Sequence, residues 1–577
     1  MLKNYYQQQL DQLRELGREF SRAHPAIAPF VADTSNDPDV RILLQGVAFL
    51  TGLLRQKLDD EFPEIIHGLM DVIFPHYLRP LPAASLVQFT PKPGLTESVF
   101  VPAGTSLASV PVGGTECLFR TCFDTEVHPL EIRQVELDQK PGRSPFLKLS
   151  FHLNGVDLSR WQPTSLRFFP GETFDQSVTL FMLLTRYIKD IELRPHDQGN
   201  VYRLPPEALR TVGFERKNSL LPFPTQTFTG FRYLQEYFYL PQKFLFLELH
   251  GWEKWRHRGT GADFDIVFNL KEVEFTLPQV NAGKIILFAT PVVNLFPCDA
   301  DPVLYDHRTE KVRIHPAGLG QNHLQVFSVD RVVGFQRGSV TRREYFPIEL
   351  YTSGEKSDSV YQLIHSLSPT DGTPQLELFF PYRKESEDPA TETLSMSLTC
   401  TNGTLPDSLK PNDICRQTFD SPEMLIPRSL MSPTASVNPP LGKNTLWKFL
   451  SHLSMNFLAV TDRDNLQSLL RLYVYPEGRD KSKITANLRR IEGIMGLVVQ
   501  QADRMIQGVA LRGYKVEMTA DRDYFANVGD MILFGSLIDL FLGTYSSMNS
   551  FVQFQLKDRL SGETYLWPPR IGGNQRI

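Results

Sequence analysis

Residues 36–89 read NDPDVRILLQGVAFLTGLLRQKLDDEFPEIIHGLMDVIFPHYLRPLPAASLVQF. Pro38 follows an Asn and an Asp, an order typical of a capped helix that has proline in its first turn. Apolar residues then recur at steps of three and four, which places them on one face of a helix. Pro63 ends this helix, because proline lacks an amide donor and displaces the preceding residue from helical geometry. A second, shorter helix is predicted from Glu64 to Phe74.

The two predicted helices carry an apolar side that they cannot bury between themselves. We predict that this side is a protein interface, because each fully buried large apolar side chain contributes roughly 1.5–3 kcal/mol. Its candidate residues are Val40, Leu43, Leu44, Val47, Leu50, Leu54, Leu58, Phe62, Ile65 and Leu69. The run Asp59-Asp60-Glu61 is interpreted as a solvated helix end, not as a catalytic acid pair. The pattern leaves open whether the apolar side meets the chain's own body or another chain.

Composition and charge exclude several classes of protein. The chain has 577 residues, of which 41% are hydrophobic and 22% charged, with a net charge of −5, as expected for several globular domains. The basic clusters are too short for the basic stripe of a dedicated nucleic-acid-binding protein. The five cysteines form no CxxC pair, which indicates a reducing compartment. Neither a signal peptide nor a run of 18 apolar residues is recognisable, so a cytoplasmic protein without a membrane span is expected.

After Ser85 the apolar period changes from helical to alternating, and short strands separated by Gly, Pro and Asn turn signals follow. These patterns predict a multidomain α+β protein with a helical N-terminal region, a large β-rich middle of sandwich or barrel type, and an α/β C-terminal domain. The predicted divisions are a helical region at 1–84, β-rich domains at 85–300 and 301–428, a proline-containing linker at 429–443, and the α/β domain at 444–577. The stretch Thr290–Pro297 is predicted to be an irregular buried connection.

The stretch Gly230–Leu249 is the most aromatic part of the sequence. Five aromatic residues lie between Phe231 and Tyr239. Such side chains could form a platform on which bases or sugars stack. They could equally form a helical turn that leads into a buried strand, and we favour this interpretation because Lys243–Leu249 has the pattern of a core strand.

No motif for a reaction or a cofactor is recognisable. The sequence lacks GxGxxG, GxxxxGK[ST], HExxH and GxSxG, and its 13 histidines form no HxH or Cys/His cluster. Asp299 and Asp301 lack the glycine and the glutamate of a calcium loop. We therefore predict no catalytic, cofactor-binding or metal site. The alternative is a large β-rich carbohydrate-active enzyme or carbohydrate-binding protein, which as a glycosidase would need two carboxylates in a cleft.

The stretch at 36–89 closely resembles the TssF family, also called VasA or ImpG, of type VI secretion system baseplate subunits. The resembling strings are DPDVRILLQGVAFLTGLLRQKLDDEFPE and FPHYLRPLPAASLVQF. Further similar segments are Glu116–Phe123, Gly230–Leu249, Thr290–Phe296 and Met548–Phe551. Residues 401–443 follow the family pattern less clearly.

The resemblance implies a structural, non-enzymatic role, similar to that of the wedge protein of contractile phage baseplates. TssF proteins associate with TssG and assemble with TssK, TssE and other TssF copies around the spike protein VgrG. The baseplate docks on the TssJ–TssL–TssM membrane complex and starts polymerisation of the Hcp tube and its sheath. The chain is thus expected to be cytoplasmic and recruited to this inner-membrane complex, with no cofactor, no nucleic acid and no insertion into the membrane.

Two hypotheses about contacts follow. Residues 1–80 are expected to supply a helical bundle shared with TssG and other TssF copies. The region 444–577 is expected to contact a neighbouring TssF, because it resembles an independent α/β unit that carries exposed Phe and Tyr side chains.

Overall fold

The structure is a computed structural model that describes most of the chain. The described residues are 6–7, 10–11, 13, 15–16, 45–51 and 63–576, apart from 139–143, 172, 224–227, 274, 276, 279–281, 308, 319–322, 337–341, 349–358, 369–371, 382–390, 442–456, 476–479, 507–508, 547–549 and 573–574. Residues 45–51 are helical. The further helices are α1 (Pro63–Ile73), α2 (Phe174–Arg186), α3 (Thr229–Tyr239), α4 (Phe457–Val460), α5 (Arg463–Arg471), α6 (Lys481–Glu492) and α7 (Val528–Thr544).

Strands dominate the regular structure of the described residues. In chain order they are β1 (Ala84–Pro91), β2 (Val99–Val101), β3 (Ser106–Val112), β4 (Thr115–Thr121), β5 (Thr125–Val127), β6 (Leu130–Asp138), β7 (Phe146–Leu153), β8 (Leu166–Pro170), β9 (Ile188–Pro195), β10 (Tyr202–Leu204), β11 (Leu209–Thr211), β12 (Leu247–Leu249), β13 (Asp263–Leu270), β14 (Ile285–Leu287), β15 (Ala289–Val293), β16 (Phe296–Asp299), β17 (Val303–Tyr305), β18 (Lys311–Arg313), β19 (Gln325–Gln336), β20 (Arg342–Pro347), β21 (Val360–Leu367), β22 (Pro374–Phe379), β23 (Glu392–Thr401), β24 (Ile414–Gln417), β25 (Leu425–Ser429), β26 (Ile494–Ile506), β27 (Val509–Ala520), β28 (Ser550–Asp558), β29 (Thr564–Leu566), β30 (Arg570–Ile571) and β31 (Gln575–Arg576). The chain is a multidomain, strand-rich α+β protein, as predicted.

The first large sheet curls into a barrel-like shape. Its strand order is β24-β3-β4-β15-β1-β25, and all its pairings are antiparallel. The two outer strands approach each other at Ser429, whose carbonyl oxygen accepts from Asn412 N at 2.8 Å. The hydroxyl of Ser429 also accepts from Ile414 N at 3.3 Å. This contact brings the first and last strands of the order together, as closure of a barrel requires.

Two further sheets share an aromatic layer. Their orders are β10-β9-β13-β7-β6 and β11-β12-β8-β14. Phe168 of β8 lies 6.5 Å from Phe151 of β7 and 6.3 Å from Phe268 of β13, measured between ring centroids. All three side chains are buried, so the inner faces of the two sheets pack on each other in the manner of a sandwich.

An eight-stranded sheet has its own hydrophobic core. Its order is β16-β23-β19-β20-β21-β22-β18, and β17 also pairs with β23. The buried core residues of this sheet include Phe296, Tyr305, Val332, Tyr345, Leu378, Phe380, Leu394 and Met396. The other sheets and the helices α1 to α7 share one larger core, which runs from Met70 to Trp567.

The C-terminal strands and helices extend that larger core. β26 and β27 form a long antiparallel hairpin, and β27 pairs in parallel with β28. Parallel strands need a crossover connection, which α7 provides here. α7 packs on α2 and α3 as well as on β28. A Cβ on Gly529 would lie 2.4 Å from Val178 O, so the helix backbones approach closely and only glycine fits.

The structure corrects three interpretations of the sequence. The stretch Thr290–Pro297 is not irregular, because it contributes to strands β15 and β16. Lys243–Leu249 is a strand only at its end, since Pro241–Leu245 form a 3-10 helix. The C-terminal Phe and Tyr side chains are mostly buried, and those with little exposure are Phe525, Phe534, Phe541, Phe551, Phe554 and Tyr565.

The segment predicted as a linker lies along the barrel. Leu430 N donates to Leu86 O at 2.8 Å, and Thr434 N donates to Ala84 O at 2.7 Å. Val437 exchanges two backbone hydrogen bonds with Leu81, at 2.8 and 3.0 Å. These bonds fix residues 430–437 against β1 and the residues that precede it.

Candidate protein interfaces

The helix α1 is held from one side and exposed on the other. Met70 and His67 are buried, whereas Leu69 is 50% exposed. Asp71 accepts from His365 Nε2 of β21 at 3.2 Å, and a Cβ on Gly68 would lie 2.7 Å from Gln362 Nε2 of the same strand. α1 therefore rests on strand β21 of the eight-stranded sheet and presents Leu69 to solvent.

The residues after α1 tie it to the larger core. Phe74 packs edge-on against Phe231 of α3 with 5.2 Å between ring centroids, and Tyr77 lies 6.4 Å from Tyr473 after α5. His76 is buried between Phe74 and Phe223. Burial and the nearby positive charge of Arg79 lower the pKa of His76 to about 3. The histidine is therefore neutral at physiological pH and acts as part of the core.

The helical residues 45–51 expose further apolar side chains. Val47, Phe49 and Leu50 are exposed, and Leu50 reaches 61%. Ala48 of the same turn is buried, so the segment has one covered side. The exposed side chains are of the type that associates with another helix in a groove or bundle.

The predicted interface residues are only partly described. Val47, Leu50 and Leu69 are exposed, which leaves them accessible to a partner. Ile65 lies within α1, but its side chain is outside the described residues. The other candidates, which also lie outside them, are Val40, Leu43, Leu44, Leu54, Leu58 and Phe62. The Asp59-Asp60-Glu61 run lies there as well.

The aromatic residues of α3 form core packing and no stacking platform. The aromatic side chains from Phe231 to Tyr239 are buried, as is every residue of α3 after Thr229. Glu236 and Lys243 form a fully buried ion pair, and Glu236 also accepts from Leu220 N at 2.8 Å. Burial lowers the pKa of Lys243, and the charge of Glu236 opposes this shift. The interpretation of this stretch as core is confirmed.

A polar groove of about 810 Å³ lies beside the loop Glu253–Thr260. Trp255 in its wall is only 1% exposed, and its Nε1 donates to Asn200 O at 2.9 Å, so its ring offers no face to a sugar. Arg258 is occupied by backbone carbonyls, including Trp255 O at 2.7 Å. The groove's lining contains one carboxylate, Glu253, where glycoside hydrolysis requires a pair.

The described residues show neither a metal site nor a membrane-spanning helix. There, no three His, Cys, Asp or Glu side chains gather where they could hold a metal ion. No helix in that part of the chain combines the length and apolarity needed to cross a membrane.

Comparison with known proteins decides the family. A sequence profile described as "Type VI secretion system, TssF" matches residues 1–574. The chain belongs to the TssF family. It is 27% identical, over an alignment of 633 residues, to the type VI secretion system component TssF1 of Pseudomonas aeruginosa, with 100% of this chain and 99% of that protein covered.

Solved structures agree with the TssF assignment. A TssK-TssF-TssG baseplate subcomplex of the type VI secretion system, determined by cryo-electron microscopy, contains a chain that is 29% identical with a TM-score of 0.78. That match covers 93% of this chain and 99% of the other. A structure of the type VI baseplate complex contains a chain that is 25% identical, with a TM-score of 0.61 and full coverage of both chains. As a TssF protein, the chain is a baseplate component of a type VI secretion system.

Sequence reasoning missed the contacts that position the candidate interface. Asp71 and His365 are separated by 294 residues in the chain, and no local pattern relates them. Phe74 and Phe231 also lie far apart in the chain, about half as far as Asp71 and His365. The high density of aromatic residues at Gly230–Leu249 was the one indication of these contacts. It predicts that the stretch lies in a core, but it does not indicate which residues pack on that stretch.

Proposed function

We propose that this TssF chain is a structural wedge subunit that assembles with TssG and TssK. The observation that carries the proposal is the likeness of nearly the whole chain to the TssF-containing baseplate subcomplex. The buried aromatic helix α3 and the single carboxylate of the polar groove support a structural role over the alternative of a carbohydrate-active or carbohydrate-binding protein. The subunit is expected to catalyse no reaction.

The N-terminal residues 1–80 are the part that we propose to join a helical bundle with TssG and other TssF copies. The support is the apolar surface of Val47, Phe49 and Leu50, together with Leu69 on α1. α1 is fixed on its opposite side by Asp71, so its exposed side keeps a defined orientation. A preoriented apolar surface loses little conformational freedom on binding, which favours association.

The finer parts of the proposal concern the rest of the baseplate. We propose that the wedge also includes TssE and assembles around the VgrG spike. It then docks on the TssJ–TssL–TssM complex at the inner membrane, where assembly of the Hcp tube and sheath begins. The divisions at 84, 300, 428 and 443, the α/β character of residues 444–577 and a contact of that region with a neighbouring TssF belong to the same proposal. The family resemblance supports the roles of TssE, VgrG and the membrane complex, and the changes of apolar period along the sequence support the divisions.

The experiment is co-purification of the full chain with TssG and TssK. We expect wild type to retain both partners, and the double variant Phe49→Ser, Leu50→Ser to lose TssG while keeping its thermal transition. Deletion of residues 1–80 should abolish the association with TssG as well. The control is Val201→Ser, which removes an exposed apolar side chain on β-rich structure and should leave co-purification unchanged. Retention of TssG by both the double variant and the deletion would exclude the proposed bundle.

A further inference from the structure

The eight-stranded sheet is a unit of residues 296–401 with a hydrophobic core of its own. The chain enters this unit from the barrel through β16 and returns to the barrel from β23. These two strands pair with each other, and Phe296 lies opposite Cys400. Both covalent connections to the barrel therefore lie side by side. A unit that is attached in this way can turn about its attachment as one body.

The attachment is a buried cluster of hydrogen bonds, which we call the joint. Asn294 Nδ2 donates to Asn402 Oδ1, and Asn402 N donates to Asn294 Oδ1, both at 2.7 Å. Leu118 of β4 takes part with its backbone, because its N donates to Asn402 Oδ1 at 3.2 Å and its O accepts from Asn294 Nδ2 at 2.7 Å. The two asparagines are 0% and 2% exposed. Units that meet through polar contacts of this kind move relative to each other more readily than units joined by a large apolar interface.

The unit and the rest of the chain share little apolar packing among the described residues. Leu118 is the residue from outside the unit that packs on its core. Phe327 of β19 belongs in return to the larger core, where the guanidinium of Arg79 lies 5.3 Å from its ring centroid. A further contact is polar, with 3.0 Å between Thr115 Oγ1 and His323 Nδ1. A contact at a second place is therefore needed to fix the orientation of the unit.

The helix α1 provides this second contact. Three successive residues of α1 meet three different surroundings: Leu69 is 50% exposed, Met70 lies in the larger core, and Asp71 accepts from His365 Nε2 of β21 at 3.2 Å. The side chains of Asp71 and His365 are 9% and 10% exposed. Successive residues of a helix point in different directions from one rigid backbone. A shift of α1 that a partner causes at Leu69 therefore also moves Asp71 relative to His365.

We propose that the Asp71–His365 contact is a latch that holds the eight-stranded unit in one orientation, and that its release lets the unit turn about the joint. The inference rests on the proposed function in one respect, since binding of TssG to residues 1–80 is the event that opens the latch. The turn carries this event to the far end of the unit. There Leu304 pairs with Thr393, about nine residues along β23 from Asn402, or roughly 30 Å at 3.3 Å per residue. Over that length a turn of about 10° moves Leu304 by about 5 Å.

The first test measures one distance in the full chain by pulsed electron paramagnetic resonance. Spin labels are attached to p-acetylphenylalanine in place of two exposed residues, Val201 in the rest of the chain and Leu304 in the unit. We expect one narrow distance distribution without further change, and a second population shifted by about 5 Å or more in Asp71→Ala. The matched control is Asp503→Ala, which breaks an exposed ion pair in the β26–β27 hairpin and should leave the distribution unchanged.

Two further variants keep this test decisive. His365→Gln removes the latch from the other side and should give the same second population as Asp71→Ala. Asp71→His combined with His365→Asp exchanges the two groups and should restore the single narrow distribution. If both single variants keep their thermal transition and the original distribution, the inference is wrong.

The second test uses hydrogen exchange, which separates turning from unfolding. In Asp71→Ala, peptides that contain the amides of Leu118 and Asn402 should exchange about tenfold faster, the size expected when a hydrogen bond that opposes opening is lost. Peptides from the middle of β19 and β23 should keep their protection, because the core of the unit stays intact. A uniform loss of protection over residues 296–401 would show that the unit unfolds instead of turning, and would overturn the inference.

The third test adds purified TssG to the spin-labelled full chain. We expect the second distance population to appear without any substitution in the latch. If TssG binds and the distribution stays unchanged, the latch does not respond to this partner and the inference is wrong. If TssG does not bind, the proposed function fails, and the distances in free Asp71→Ala and His365→Gln still confirm or overturn the latch.

Discussion

The helices α7 and α1 are both strongly apolar in sequence, but they differ in how much of their surface is buried. In α7, 14 of the 17 residues are buried, because α2, α3 and β28 cover it on several sides. In α1 one side is covered by β21 and the other exposes Leu69. The apolar content of a helix therefore indicates that its surface must be buried. The elements that pack on it within the chain decide how much apolar surface stays exposed and available to a partner.

The polar groups of the two helices differ in the same way. Asp530 and Asp539 of α7 are buried, and each is paired: Asp530 with Arg490 at 2.9 Å and Asp539 with Arg570 at 2.8 Å. Beside α1, no hydrogen-bond partner among the described residues reaches the ring nitrogens of buried His76. The ion pairs lock α7 to α6 and β30, whereas the α1 region depends on aromatic packing and on the His365–Asp71 contact.

The largest expected effect comes from separating α7 from its neighbours. We expect residues 444–577, produced alone, to lack a cooperative unfolding transition and to aggregate, because the side of α7 that packs on α2 and α3 becomes exposed. Heat-induced unfolding and light scattering of this fragment, compared with the full chain, measure the effect. A soluble fragment that unfolds cooperatively would show that α7 needs no contact outside the C-terminal region. The conclusion that α7, unlike α1, depends on burial against distant helices would then be wrong.

A smaller loss is expected when one ion pair of α7 is broken. Asp530→Ala leaves Arg490 buried without its partner and removes the acceptor of Ala526 N, so the free energy of unfolding should fall by about 3–5 kcal/mol. Chemical denaturation measures the change. The matched control is Asp523→Ala in an exposed position, which should alter stability by less than about 1 kcal/mol. Equal effects of the two substitutions would contradict the contrast between buried and exposed carboxylates.

The His76 site predicts a dependence on pH. The unfolded chain binds a proton on this histidine below its ordinary pKa of 6.5, whereas the folded chain does not until about pH 3. Between pH 6.5 and 3 the unfolded state therefore binds more protons than the folded state. As the pH is lowered through this range, the free energy of unfolding should fall by about 1.4 kcal/mol for each pH unit. His76→Phe should remove this contribution, which appears as a shallower slope than wild type in denaturation measured from pH 7 to 4. Identical slopes would show that His76 is protonated in the folded chain.

The smallest effect on stability is expected at the exposed side of α1. Leu69→Ala should lower the free energy of unfolding by less than about 1 kcal/mol, because the side chain is half exposed. Met70→Ala, one residue further and fully buried, should lower it by about 2–5 kcal/mol. Denaturation of the two variants sharpens the comparison, and co-purification with TssG then separates a binding role of Leu69 from a packing role. A large destabilisation by Leu69→Ala would place that side chain in the core.

Much of the local structure was predictable from periodicity. The spacing of apolar residues predicts a helix at 64–74, and the structure has it at Pro63–Ile73. Along most of the strand Glu392–Thr401, buried and exposed residues alternate as the apolar and polar residues of its sequence do. Errors occurred where tertiary packing overrides local cues, as at Thr290–Pro297, where prolines suggested irregular chain but strand pairing with β1 forms.

The candidate interface was predictable only as a set of apolar positions. Val47 and Leu50 belong to the apolar repeat of the first predicted helix, and Leu69 to that of the second. Such a repeat indicates an apolar face but does not indicate what covers it. The exposed Phe419 gave no such signal, since a single aromatic residue between polar ones has no period. The loop that carries it is fixed by hydrogen bonds from the hydroxyls of Thr418 and Ser421 to Ser106 O, more than 300 residues earlier in the chain.

The sequence by itself determined that the chain is strand-rich with apolar helices and that it resembles the TssF family, because periodicity, turn residues and family strings are local properties. Only the tertiary structure decided that α7 is covered by α2 and α3, that residues 430–437 lie along the barrel, and that α1 keeps Leu69 exposed. These outcomes depend on contacts between residues hundreds of positions apart, such as Asp71 with His365. Their energies arise from burial and geometry that exist only once distant segments have packed together.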